Sequence, residues 1–184
     1  MIAYKFLRSG AVGPFSGRVW PVPPRGDGPA EWVEIEGPLE LCVSGVHACT
    51  RQSLSGWLDE ELWAVELAGE LDEAEGMLLA RRGRLVSRVE EWPDDAAAHF
   101  ARTCVERATQ LADRSPGDSA LAEYAADAER FAGRHTVAGT ALAAYASAVA
   151  AEAVEPGGFI AERGRQSEWL ASRLRLEPSS SSRM

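Results

Sequence analysis

Two thiols and an imidazole lie within eight residues of one another in the first third of the chain. Cys42, His47 and Cys49 belong to the run CVSGVHAC, which follows a predicted strand and precedes a predicted helix. A deprotonated thiol acts as a nucleophile or metal ligand, and an imidazole transfers protons near neutral pH. This run therefore predicts where a site would lie.

Three interpretations of the run stay open. In the first, Cys42, His47 and Cys49 bind a metal with Glu66 or water as the fourth ligand, although the chain has no Cys-x-x-Cys pair. In the second, Cys49 is a nucleophile activated by the following helix N-terminus and by His47 as base. In the third, the cysteines pack as small hydrophobic residues and His47 hydrogen-bonds a carbonyl or carboxylate. The sequence favours the third, and we assign no metal site.

Glu66 is the carboxylate that the strand pattern places nearest to this chemistry. It lies in the predicted strand 62–69, on the side that otherwise carries alanines. A carboxylate flanked by small residues has room for a ligand or for a histidine partner. His47, Cys49 and Glu66 are therefore our candidate catalytic residues.

Aromatic and arginine side chains supply candidate ligand-binding groups. Tyr4, Trp20 and Trp57 have flat faces on which a planar ligand could stack. Arg81 and Arg82 have the donor geometry that binds a phosphate or carboxylate. The alternatives are that the six tryptophans fill the core and that the arginines form a solvated hairpin tip.

The residues around His47 resemble a family of uncharacterised phage and bacterial proteins. The resemblance rests on CVSGVHAC, on Leu54 and Trp57, and on the run LWAVELAGE, and it covers about residues 4–92. Members have an opening Tyr-Lys strand, a Cys-x-Ser-Gly-Phe-His-Ala-Cys core and a Val-Glu-x-x-Gly strand. The family has no established activity, so the resemblance singles out Gly45, His47 and Cys49 without implying a reaction.

This chain departs from that family at one position. Where relatives tend to carry a lysine at the start of the next strand, it has Gly76 and Met77. The helical part of the chain resembles extensions found in actinobacterial proteins of unknown function.

A shorter stretch is similar to ADP-ribosyltransferases, whose split sheets place a Gly-x-(His or Tyr)-x segment before a helix. This resemblance implies that His47 orients a nicotinamide ribose and that Tyr4 or Trp57 stacks on the ligand. It also implies that Glu66 or Glu70 supplies a polarising carboxylate. The cofactor stays unknown, because fold-level analogy does not establish chemistry.

Short alternating apolar groups separated by Gly and Pro predict that residues 1–92 form a small mixed sheet with one short helix after Thr50. A turn is predicted at Arg82 and Gly83. The predicted strands cover residues 2–7, 31–36, 39–43, 62–69, 77–82 and 84–89.

From Pro93 onward the apolar residues recur at three and four positions and the composition turns Ala-rich. This pattern predicts a four-helix extension over residues 93–176 and a disordered tail over 177–184. Because each alanine buries little area, we expect the bundle to pack on the sheet. The fold class is therefore α+β.

Charge and composition exclude several classes of function. The chain has 184 residues, 28 acidic against 19 basic, and a net charge of -9, which disfavours a nucleic-acid duplex. An odd number of cysteines and the absence of an apolar leader predict a cytoplasmic protein with reduced thiols. The uncharged stretch 136–151 is shorter than a membrane span and predicts a buried helix. Sequence motifs for phosphate loops, zinc proteases and serine esterases are absent.

Two functions remain. The first is an accessory protein that binds a protein partner and has no complete catalytic constellation, with a homodimer also open. The second is a small enzyme for a nucleotide-like or planar ligand, with His47 as general acid or base. Whether the protein is an enzyme at all is left open. A concave pocket that contains His47 and its neighbours favours the second function, whereas a sealed imidazole excludes it.

Overall fold

The structure is a computed structural model that describes residues 1–24, 28–41, 43–74 and 76–177, with only the backbone at Asp94. The chain divides into two compact units. The β-rich unit contains Met1–Glu90 together with the described residues after Arg175, and the helical unit contains Glu91–Arg175. The α+β class is confirmed, with a sheet followed by a helical region. The predicted tail lies, after Glu177, outside the described residues.

The described part of the β-rich unit contains five strands and one 3-10 helix, Arg51–Gly56. The strands are β1 (Ile2–Leu7), β2 (Val33–Glu34), β3 (Val46–Cys49), β4 (Glu61–Ala74) and β5 (Met77–Arg88). All of their pairings are antiparallel, so the prediction of a mixed sheet is wrong in this respect. A parallel pair needs a long crossover, usually helical, and these strands are joined by loops, a turn and the short 3-10 helix.

Four of the five described strands close into a ring, and β2 pairs only with β5. β1 pairs with β3 and β4, and β5 pairs with the same two strands. Two irregularities in the long β4–β5 hairpin, after Ala64 and after Ala68, provide the bend that closure requires. The interior contains a cluster of buried apolar residues that includes Ala3, Leu7 and Val65.

The prediction of a turn at Arg82 and Gly83 is wrong, because β5 runs through both residues as one strand. Gly83 is required there for close packing: a Cβ at this position would lie 2.7 Å from Val46 Cγ1. The hairpin turn instead contains Gly76, whose φ is 76°.

Two other predicted strands are shorter in the structure or are not formed. Of residues 31–36 only β2 is a strand, and it pairs with β5. In place of a strand over 39–43, the described residues form an isolated bridge between Glu40 and Ser44. Apolar alternation alone does not supply a pairing partner, which a strand needs.

The helical unit contains the four predicted helices, which are confirmed. They are α1 (Asp94–Asp113), α2 (Ser119–Ala132), α3 (Val137–Val154) and α4 (Gly158–Arg173). The Asp118 side chain caps α2 by accepting hydrogen bonds from Ala120 N and Leu121 N, and Thr136 caps α3 through Gly139 N.

Helix α3 is long and apolar enough to cross a membrane by length and composition, with a mean hydropathy of 1.4. Half of its residues are buried in the helical unit, where it contacts α1, α2 and α4. The core helix of a bundle has this composition, which agrees with the buried helix predicted for 136–151.

Candidate functional site

A cavity of about 730 Å³ lies in the β-rich unit beside β1 and β3. Its wall contains consecutive residues of both strands, Tyr4 to Phe6 and Val46–Cys49. At this place β1 and β3 share a single bridge, Tyr4 opposite Cys49.

Five of the eight predicted site residues lie on this wall: Tyr4, Trp20, His47, Cys49 and Trp57. The imidazole of His47 is half-buried and is not sealed in the core. Glu66, Arg81 and Arg82 are not among the residues that line the cavity. The structure therefore brings the imidazole and the aromatic residues together and leaves the predicted carboxylate and arginines elsewhere.

His47 is oriented by the backbone that precedes it. Its Nδ1 lies 3.1 Å from the carbonyl oxygen of Gly45. Because a carbonyl only accepts, Nδ1 must carry a proton, and in the neutral ring Nε2 is the basic nitrogen. Burial lowers the pKa of His47, the charge of Lys5 lowers it further, and the bond to Gly45 opposes both effects. A pKa below the ordinary value leaves His47 a neutral base at pH 7.

Gly45 is needed for this orientation. Its φ is 141°, which L side chains rarely adopt, and a Cβ there would lie 2.2 Å from Leu79 Cδ1. The glycine thus lets the chain enter β3 against a buried leucine while its carbonyl faces the imidazole.

Lys5 is the residue of this site that the sequence analysis missed. Its Nζ donates a hydrogen bond to the carbonyl oxygen of His47 at 2.5 Å and lies 5.0 Å from the centroid of the Trp20 ring. Burial lowers the pKa of Lys5 to about 8, an effect that Cys49 partly opposes. Among the described residues, no carboxylate forms an ion pair with this amine.

A signal for Lys5 was present in the sequence. The alternation of β1 places Lys5 on the same side as Ala3 and Leu7, both of which are fully buried. A lysine on the buried side of a strand is uncommon unless it has a partner or a function.

Tyr4 contributes its ring to the wall, because its hydroxyl is already engaged. The phenol donates a hydrogen bond to the carbonyl oxygen of Glu177 at 2.8 Å. Burial raises the pKa of Tyr4, so the hydroxyl stays protonated at neutral pH. A role in stacking is compatible with this geometry.

Cys49 does not have the environment of a reactive thiol. It is 2% exposed, and its Sγ donates to the carbonyl oxygen of Tyr4 at 3.3 Å. Burial raises the pKa of Cys49 to about 12, so the thiol is protonated at neutral pH. The helix expected to activate it is a six-residue 3-10 helix, whose dipole is small. The structure therefore does not support the nucleophilic interpretation.

Thiol labelling checks this conclusion. At pH 7.5 we expect iodoacetamide to modify Cys49 no faster than Cys104, because Cys104 is also buried and its pKa is also raised to about 12. Labelling is followed by peptide mapping, since Cys42 lies outside the described residues. Unfolding in guanidinium should make both reactive, and a Cys49 that reacts about 10-fold faster than Cys104 in the native protein would restore the nucleophile.

Glu66 and Arg81 form ion pairs and Arg82 contacts an aromatic ring, and none of the three lines the cavity. Glu66 Oε2 accepts from Arg84 Nε at 2.7 Å, and Arg81 Nη2 donates to Glu70 Oε2 at 2.7 Å. The guanidinium of Arg82 stacks on Trp32 at 4.8 Å. The two carboxylates that the ADP-ribosyltransferase resemblance implies are thus occupied by arginines, and neither lines the cavity.

The metal interpretation finds no ligand group in the described part of the chain. No three His, Cys, Asp or Glu side chains lie close enough there to hold an ion. Cys42, one of the three predicted ligands, lies outside the described residues.

Comparison of the chain with protein-family models, with curated proteins and with solved structures found no match in any of the three. The resemblance to the phage and bacterial family therefore stays a prediction.

Proposed function

We propose that the β-rich unit binds a small planar ligand in the His47 cavity and that His47 transfers a proton to or from it. The observation that carries the proposal is the half-buried imidazole on the wall of a cavity that Lys5, with its desolvated amine, and two tryptophans also line. A pocket that contains His47 and its neighbours favours the hypothesis of a small enzyme over that of an accessory protein.

The cavity has the size and lining of a small-molecule site. Its volume of about 730 Å³ lies within the usual range for such sites, which are mostly apolar with a few polar groups. Trp20 and Trp57 provide flat surfaces from two different segments of the chain, and a planar ligand contacts such surfaces over a large area.

The charged groups on the wall favour a ligand with an electron-rich oxygen. Lys5 and Arg18 are basic, and Asp59 is the acidic residue among those that line the cavity. A carboxylate, phosphate or carbonyl oxygen on the ligand would accept hydrogen bonds from these donors. A cationic ligand would meet repulsion from Lys5 in a partly desolvated site.

A thermal-shift screen with planar compounds tests the proposal. The panel contains nucleobases, nicotinamide, benzoate and 4-formylbenzoate, and each is applied to the wild type and to His47→Ala. A ligand present at 100 times its Kd stabilises the native state by about 2.7 kcal/mol, which raises Tm by several degrees. We expect that increase in the wild type and its loss in His47→Ala.

His135→Asn is the matched control, because His135 is exposed in the helical unit at a φ of 53°, which asparagine tolerates. It should keep the full stabilisation. Equal stabilisation of all three proteins, or no stabilisation of the wild type by any compound in the panel, contradicts the proposal.

The interaction role stays a second candidate because the helical unit exposes several large apolar side chains. These are Leu142, Tyr145, Val154 and Ile160. Exposed apolar residues that form one contiguous patch are typical of surfaces that contact another protein. The protein partner and the homodimer stay predictions.

A further inference from the structure

Lys5 is the only lysine among the 19 basic residues of the chain, and all of the others are arginines. The positive charge at each of those other positions is therefore carried by a guanidinium group. The single primary amine on a side chain lies on the wall of the cavity, next to His47 and under Trp20.

Lysine and arginine differ in chemistry more than in charge. A guanidinium stays protonated and does not attack carbonyl carbon, whereas an ammonium group in a desolvated site loses its proton and becomes a nucleophile. An ion pair would not need a lysine, and Lys5 forms none among the described residues. The position of Lys5 is therefore better explained by the nucleophilicity of a primary amine than by its charge.

We propose that Lys5 forms an imine with a carbonyl group of the ligand, so that the cavity takes planar aldehydes or ketones. The inference rests on the proposed function, because it uses the same cavity and the same flat surfaces. It adds the chemical class of the ligand and the atom that reacts with it.

The reaction needs no oxidant, reductant or further co-reactant. The neutral Nζ attacks the carbonyl carbon, and the C=O π pair moves to oxygen. Water carries one proton from the nitrogen to this oxygen, which gives the carbinolamine. The hydroxyl then takes up a proton from solvent and leaves as water as the nitrogen lone pair forms the C=N bond, and the nitrogen returns its remaining proton to solvent.

The surroundings of Lys5 favour the neutral amine. A pKa of about 8 leaves roughly a tenth of the amine unprotonated at pH 7, which is roughly 300-fold more than the ordinary pKa of 10.5 allows. The titratable and charged groups on the surrounding wall are Tyr4, Arg18, His47, Cys49 and Asp59. Trp20, on a different segment from β1, lies over the amine at 5.0 Å; this cation–π contact favours the charged form, so the lowered pKa comes from burial.

Reductive trapping on the full chain tests the inference. The wild type is incubated with 4-formylbenzoate and cyanoborohydride at pH 7.5, and the adduct is located by peptide mass spectrometry. We expect Lys5 to be alkylated at least about 10-fold faster than Nα-acetyl-lysine amide under the same conditions. The rate should increase as the pH passes through about 8 and then level off.

Three controls make the outcome decisive. Propanal lacks a planar ring and should lose most of the rate advantage. The α-amine of Met1, which hydrogen-bonds Leu67 O, is an internal competitor and should react more slowly than Lys5. Wild type unfolded in urea should react at the rate of the model amine, which shows that the advantage depends on the fold.

The result that overturns the inference is alkylation of Lys5 at or below the rate of the model amine. Lys5→Arg separates this failure from that of the proposed function. If planar ligands stabilise the wild type and Lys5→Arg equally and Lys5 is not trapped, the imine is wrong and the ligand site stands. If Lys5 is trapped rapidly but His47→Ala binds every planar compound normally, the imine stands and the role of His47 is wrong.

Discussion

Replacing Glu61 with alanine is expected to lower the free energy of unfolding of the β-rich unit by about 3–5 kcal/mol. Glu61 is 7% exposed, and its carboxylate accepts hydrogen bonds from Gly10 N, Ala11 N and Trp63 Nε1 at 3.0–3.1 Å. Alanine would leave these donors without an acceptor, and a buried unsatisfied donor costs about 1–3 kcal/mol.

The same change should weaken ligand binding without touching the ligand. Glu61 fixes the turn at Gly10 and Ala11, and the Ala11 carbonyl accepts the hydrogen bond of Trp20 N at 2.9 Å. Loss of the carboxylate would release the segment that holds Trp20 over Lys5. Glu61 is therefore a positioning residue for the cavity wall.

Urea unfolding followed by tryptophan fluorescence measures the effect, since four of the six tryptophans belong to the β-rich unit. Glu60→Ala is the matched control: Glu60 is exposed and accepts hydrogen bonds from Ser9, including Ser9 N at 2.7 Å, so its loss should cost about 0.5 kcal/mol. Glu61→Gln should fall between the two. A Glu61→Ala variant as stable as Glu60→Ala would show that the carboxylate does not anchor the turn.

Gly45→Ala is expected to destabilise the β-rich unit by about 2–5 kcal/mol, because two costs add at one position. The φ of 141° is strained for alanine, and the new Cβ would overlap Leu79 Cδ1 at 2.2 Å. Leu79 is 2% exposed and has little room to move. A shift of the backbone would also remove the Gly45 carbonyl from His47 Nδ1, so ligand-dependent stabilisation should be lost.

Gly56→Ala provides the comparison for this variant. Gly56 lies in the same unit, has ordinary φ, and a Cβ there meets nothing within 4 Å. Its unfolding free energy should stay within about 0.5 kcal/mol of the wild type. Adding Leu79→Ala to Gly45→Ala should relieve the overlap but not the strain at φ. A Gly45→Ala protein that keeps both its stability and its ligand response would contradict the role given to this glycine.

The sequence predicted the helical unit well because its signals are local. Apolar residues recur at three and four positions through each helical segment, and the local residues Asp118 and Thr136 cap α2 and α3. The pattern did not reveal Glu162, which is 3% exposed in α4 and accepts hydrogen bonds from Arg107, Arg165 and Ser147. A buried carboxylate depends on partners that are distant in sequence.

The β-rich unit was harder to predict because its contacts are non-local. The alternation in residues 2–7 and 62–69 indicated strands, but it could not show that β5 continues through Gly83 or that the sheet closes. Glycine is typical of turns, but Gly83 lies within β5 and allows close packing against Val46. Strand register is set by tertiary packing, which one sequence does not display.

The candidate site was likewise only partly predictable from the sequence. The run around His47 indicated the place of the site, and the aromatic residues Tyr4, Trp20 and Trp57 do line the cavity. Glu66 does not line the cavity and pairs with Arg84. Lys5 was overlooked because the sequence does not show that the space beside β1 is a cavity.

The most direct test of a ligand site beside His47 is a titration with the strongest stabiliser from the planar panel. The titration is followed in the indole region of a 15N NMR spectrum. We predict that the Trp20 and Trp57 indole resonances shift in the wild type, while those of Trp92 and Trp169 in the helical unit stay in place. The Trp20 and Trp57 shifts should be absent in His47→Ala. Shifts confined to Trp92 and Trp169, or equal shifts in the wild type and His47→Ala, would contradict a ligand site beside His47.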